Sequence, residues 1–187
     1  MQIRIRRFQE KDFEPTRTLL LESNPESESH WTLPGEMKEA IGNSNSHDFV
    51  AEIFGGESPK IVGVGASLVE QNSLREREGV LQKVLVHPDF RRKAGSLNTD
   101  IHTVLVLARL KAMFHDGALR VFVPINIGSV GKAAQKYARL GFEEGEFPKH
   151  LENDYPAEGL SVLVLTREKF YSNLKAGKYP LWLGKPI

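Results

Sequence analysis

Residues 86–100, "VHPDFRRKAGSLNTD", decide how this chain is read. An apolar strand ends at a proline, three cations follow (Arg91, Arg92 and Lys93), and small residues then open an apolar helix. The first turn of a helix leaves four backbone N–H groups without intrahelical partners, and the aligned peptide dipoles add about half a positive charge there. Backbone N–H groups from Arg92 to Leu97 would therefore surround a pyrophosphate, with the three cations at its rim and Ala94, Gly95 and Ser96 small enough to let it approach. A solvated basic turn is the alternative, and the stretch alone does not separate the two.

Working outward, the apolar strand is "VLQKVLVHP", from Val80, and the helix runs from Ala94 to about Phe114. Leu97, Ile101, Val104 or Leu105, Ala108 and Ala112 form one face of that helix, and Val106, Leu107 and Leu110 make its flank apolar too, so it is expected to be covered on more than one side. Downstream, "LRVFVPIN" reads as a strand, "GSVGKAAQKYARLGF" as a helix closed by Gly141, and "GLSVLVLT" as a final strand. Upstream, Ile3 and Ile5 alternate with Arg4 and Arg6 as a half-buried strand, "EKDFEPTRTLLLES" is a helix, and "LPGEMKEAIGN" a short second one. "DFVAEIF" and "KIVGVGASLVE" are strands joined by the hairpin signal "GGESP", and "NSLREREG" reads as a charged turn. Hairpins mixed with strand–helix–strand crossovers predict an α/β (α+β) domain with a mixed sheet, spanning 1–187 as one unit.

The chain has 187 residues, enough for one sizeable core. A net charge of +1 gives no global attraction to nucleic acid or anionic membrane, so nucleic-acid and membrane partners are not expected. With no cysteine there are no disulfides, thiolate nucleophiles or zinc–thiolate sites. "MQIRIRRFQEKDF" lacks the apolar core of a secretory signal, and a cytoplasmic protein is expected. The six histidines show no ligand spacing, and no metal is predicted. The basic tail, 169–187, has four lysines, Tyr171, Tyr179 and Trp182; its aromatics would pack on their own domain or on a second copy of the chain, and contact with RNA or an acidic partner is the rival reading.

A second motif is "AAQKYARLGF", residues 133–142. The phenol of Tyr137 is a suitable acid for a thiolate leaving group, because the ordinary proton affinities of the two are close. Its rival role is a packing aromatic.

The two motifs, in this order and one crossover apart, resemble those of the GNAT acyltransferase superfamily, over nearly the whole chain. The family's pyrophosphate motif is Arg or Gln, two residues, Gly or Ala, one residue, Gly or Ala; it is similar to Arg91, Arg92, Lys93, Ala94, Gly95, Ser96, approached through Val-His-Pro-Asp-Phe. The later segment is similar to Ala133, Tyr137, Gly141 and Phe142. The resemblance implies a mostly antiparallel sheet of six to seven strands flanked by helices and splayed between strands four and five. It implies acetyl transfer from acetyl-CoA to a primary amine by direct attack, with the acceptor undetermined. Backbone groups at Leu85 and Val86 would hold the pantetheine arm and the oxyanion, and Tyr137 would protonate the departing thiolate.

Two positions depart from the family pattern. Ser96 stands where Gly or Ala is usual, and Val130 where the family often has Asn; Asn126 would serve in its place. The family's strand-four glutamate falls on Val80, and the nearby Glu76 and Glu78 lie in what reads as a solvated turn. The acidic segment "SNPESESH" before Trp31 falls where the family's acceptor-side loop would lie. Non-catalytic acyl-CoA binding on the same fold, or association with nucleic acid, are the competing functions.

Overall fold

The alternation that begins at Ile3 sets the edge of the sheet. In the computed structural model, which describes residues 2–23, 37–55, 58–91, 100–126, 130–151 and 159–180, β1 (Gln2–Arg7) runs antiparallel to β2 (Phe49–Phe54), with Ile3 opposite Ile53 and Ile5 opposite Ala51. β2 pairs antiparallel with β3 (Lys60–Gln71), the register shifting between Ala51 and Glu52. A turn at Asn72–Glu76 leads into β4 (Arg77–Val86), the neighbour of β3. β4 pairs in parallel with β5 (Arg120–Asn126), which lies antiparallel to β7 (Leu160–Thr166), and β7 is antiparallel to the short β6 (Glu143–Gly145). The sheet is seven-stranded, in the order β1-β2-β3-β4-β5-β7-β6, mixed and mostly antiparallel as expected.

A parallel pair needs a crossover, and α2 (Ile101–His115) supplies it between β4 and β5. Ile101, Val104 to Ala108, Leu110, Met113 and Phe114 are all buried, as a helix apolar all round requires. The described helix starts at Ile101 rather than Ala94. Asp100 is the reason: its Oδ1 accepts the Thr103 N–H at 2.9 Å and its Oδ2 the Thr103 hydroxyl at 2.9 Å, an N-cap that leaves Asp100 outside the helix. Residues 92–99 lie outside the described set.

The chain forms two compact units that share β3, β4 and α2 covalently. The first comprises 1–67 and 83–110. Its core gathers Phe8, Leu19 and Leu20 of α1 (Phe13–Ser23), Met37, Val50, Ile61, Val64, Ala66 and Leu85. A Cβ at Gly63 would lie 3.1 Å from Ile101 and Leu105 side-chain carbons, so the glycine lets α2 sit directly on the sheet. Arg109, fully buried, donates to the Ala66 carbonyl at 2.6 Å and to the Leu105 carbonyl of its own helix at 3.2 Å.

The second unit comprises 68–82 and 111–186, with α3 (Val130–Arg139) and α4 (Arg167–Lys175). The start of the basic tail is therefore helical. Thr166 caps α4 by accepting the Lys169 N–H at 3.2 Å, and Phe170, fully buried, packs on Phe114 with ring centroids 4.9 Å apart. The sequence hid this helix because its buried face includes Asn173 beside Phe170, which interrupts the apolar stripe. No helix among the described residues is long and apolar enough to cross a membrane.

Candidate active site

In the first unit, β4 ends in a tight turn. The His87 N–H bonds to the Val62 carbonyl at 2.9 Å, tying the end of β4 to β3, and Pro88–Phe90 form one turn of 3-10 helix whose Asp89 N–H donates to His87 Nδ1 at 3.2 Å. This turn brings Arg91 back over the strand it follows: its Nε–H donates to the Val86 carbonyl at 3.2 Å while the residue stays exposed. The Leu85 and Val86 side chains are buried, so only their backbone groups are suited to meet a ligand. Arg91 is thus a cation held at the end of β4 by a backbone bond. Arg92, Lys93, Ala94, Gly95, Ser96 and Leu97 lie outside the described residues, as does "SNPESESH" with Trp31.

In the second unit, Tyr137 sits two residues before the end of α3. Its carbonyl accepts N–H bonds from Leu140 at 2.9 Å and Phe142 at 3.2 Å, a closure that needs Gly141 at φ +93°. The ring is 7% exposed and meets Phe142 edge to face at 5.3 Å. Behind this turn, the Tyr179 hydroxyl donates to the Leu140 carbonyl at 2.6 Å, and Asn173 Nδ2 lies 3.3 Å from the same oxygen. Burial pushes the Tyr179 phenol up, with the Asn173 bond opposing, which keeps it a donor. Asn126 is the last residue of β5, opposite Leu160 of β7.

The parallel pairing of β4 with β5 covers three positions, Glu78–Val80 against Arg120–Phe122, whereas β4 continues to Val86 and β5 to Asn126. At its start stands a cluster that sequence reasoning missed. β4 begins at Arg77, three residues before the expected Val80, so Glu78 belongs to the strand and is fully buried rather than part of a solvated turn. Its Oε1 pairs with Arg120, directly opposite on β5, and its Oε2 lies 3.5 Å from His150 Nε2. The signal that would have found it is the alternation Glu78, Val80, with a cation at the matching position of the strand one crossover later. On the same face Val80 and Phe122 pack with Phe147, Leu151, Val162 and Val164. Among the described residues, no group of three or more His, Asp and Glu is placed to hold a metal ion.

No protein-family model matches the sequence, and no curated protein matches it either. Solved structures do match. The PaiA N-acetyltransferase from Thermoplasma acidophilum in complex with coenzyme A superimposes with a TM-score of 0.62 at 15% identity, over 89% of this chain and 99% of that one. An acetyltransferase of the GNAT family from Staphylococcus aureus Mu50 gives 0.64 at 15% identity, over 89% and 99%. The fold is that of the GNAT acetyltransferases. A third GNAT-like match is a spermidine N-acetyltransferase SpeG chimera of Vibrio cholerae and hSSAT, with a TM-score of 0.61 at 17% identity, over 91% of this chain and 99% of the other.

Proposed function

We propose that the protein transfers an acetyl group from acetyl-CoA to a primary amine. The observation that carries this reading is the short parallel pairing of β4 with β5, followed by a turn that holds Arg91 over the Val86 carbonyl, in a fold shared with acetyltransferases. In this reading Arg91, Arg92 and Lys93 bind the pyrophosphate, with backbone N–H groups of Ala94 to Leu97. Backbone groups at Leu85 and Val86 pair with the pantetheine arm, and Asn126 contributes at the end of β5. The amine nitrogen attacks the thioester carbonyl, and a backbone N–H near Leu85 or Val86 stabilises the oxyanion, an effect worth about 2.7–4 kcal/mol when well aligned. The C–S bond then breaks, and the CoA thiolate takes its proton from Tyr137. No covalent enzyme intermediate is needed.

Acetyl-CoA at 100 times its dissociation constant adds about 2.7 kcal/mol to stability, which a thermal-shift titration reads directly. The absence of any shift at millimolar acetyl-CoA would remove the cofactor assignment. One observation favours a second reading, non-catalytic acyl-CoA binding: Tyr137 is nearly buried against Phe142, as a packing aromatic would be. Turnover of Tyr137→Phe separates the two. Loss of rate supports the acid role, and an unchanged rate with chemistry limiting sinks it.

A further inference from the structure

Glu78 and His150 present two buried polar atoms to each other across 3.5 Å. Neither Glu78 Oε2 nor His150 Nε2 has a hydrogen-bond partner among the described residues, and both are shut off from solvent. Buried polar atoms without partners are rare enough that each needs a reason. One carboxylate here faces two different cations-to-be. Oε1 is held by Arg120, whose charge is permanent; Oε2 faces an imidazole, whose charge changes with a single proton.

Resting on the acetyl-transfer reading, we infer that His150 is the base that takes the proton from the attacking amine, with Glu78 as the residue that positions it. In the neutral ring the Nε2–H tautomer points at Glu78 Oε2 and leaves the lone pair of Nδ1 available as acceptor. As the amine nitrogen bonds to the thioester carbon, its proton moves to Nδ1. The imidazolium then closes a charge-assisted bond onto Glu78, which needs a shift of a few tenths of an ångström, the looseness expected of a catalytic pair without its substrate. The C–S bond breaks, the thiolate takes the Tyr137 proton, and both side chains reset by exchange with water.

The surroundings suit this task. The His150 side chain is 27% exposed although Nε2 is buried, so the rest of the ring meets solvent. Leu151, the next residue, is fully buried with Val80, Phe122 and Phe147, which fixes the turn Lys149–Leu151 against the sheet. The charged groups around the ring are Glu78 from β4 and Arg120 from β5, and its own turn adds Lys149. The family's strand-four glutamate falls on Val80 here, one pleat further along the same face.

The test compares wild type with His150→Gln, His150→Ala and Glu78→Gln, using acetyl-CoA with spermidine, a lysine peptide and hydroxylamine as acceptors. Hydroxylamine is already neutral near pH 7 and needs no base before attack. His150→Gln is expected to lower kcat/KM on the two alkyl amines by about 10²–10³-fold and to remove the acid limb of the pH profile. The loss on hydroxylamine should be under about 10-fold. Added imidazole should restore part of the His150→Ala activity, and the acetyl-CoA thermal shift should be unchanged in both His150 variants. An active wild type with an unaffected His150→Gln, or an equal loss on all three acceptors without imidazole rescue, overturns the proton-acceptor role alone. A wild type that binds acetyl-CoA and acetylates no amine overturns the acetyl-transfer reading and this inference with it.

Discussion

Arg120→Met isolates what a buried carboxylate costs when its cation is removed. Glu78 is fully buried and Arg120 is 46% exposed, so the variant strands a charge on the inside while little apolar packing is lost. Two unit charges about 4 Å apart attract by roughly 4 kcal/mol at an effective dielectric of 20. Removing one partner of a buried pair typically costs about 3–5 kcal/mol, most of it the uncompensated charge left behind. Half-exposure of Arg120 lets water screen part of this, which brings the expected loss to about 2–3 kcal/mol. In a chain of this size that corresponds to a Tm lower by about 4–12 °C. Urea unfolding at pH 8, where an ordinary imidazole is neutral, measures it as a lower midpoint with unchanged m. The double variant Glu78→Leu with Arg120→Met should return to within about 1 kcal/mol of wild type, because the stranded charge is gone. A loss below about 0.5 kcal/mol in Arg120→Met, or strict additivity in the double variant, would refute the reasoning.

Two further outcomes follow from the packing. Asp48 accepts the Ser67 N–H at 3.0 Å and the Ser46 hydroxyl at 2.9 Å, yet burial pushes its carboxyl above the ordinary range, with those bonds and Arg109 and Arg7 opposing. A raised carboxyl pKa in the folded state means stability is lost as pH rises through it, so Asp48→Asn should gain on wild type from acid toward neutral pH; a difference constant with pH in urea melts would contradict this. Tyr179→Phe strips the donor from the Leu140 carbonyl at the close of α3 and should cost about 1–2 kcal/mol, read as a drop in Tm; no loss would mean that carbonyl finds another donor.

Much of the fold was legible one segment at a time. The alternation at Ile3 and Ile5, the "GGESP" hairpin and the apolar helix that links β4 to β5 each follow from local period and turn chemistry, and their order implied the sheet. Gly141 closing the Tyr137 helix was equally local, since a left-handed residue there needs no partner to be recognised. The helical start of the tail escaped because a helix that buries an asparagine beside a phenylalanine has no clean stripe.

What the sequence determined by itself was the succession of elements and the two motifs, because period, capping and turn preferences act between residues close in the chain. Only the tertiary structure decided the fate of Glu78. A carboxylate between Arg77 and Gly79 looks solvated until β5 sets Arg120 against it and the turn at 149–151 sets His150 beside its second oxygen. Those partners lie 42 and 72 residues away, and the free energy of a buried charge depends on what surrounds it in space rather than on its neighbours in the chain.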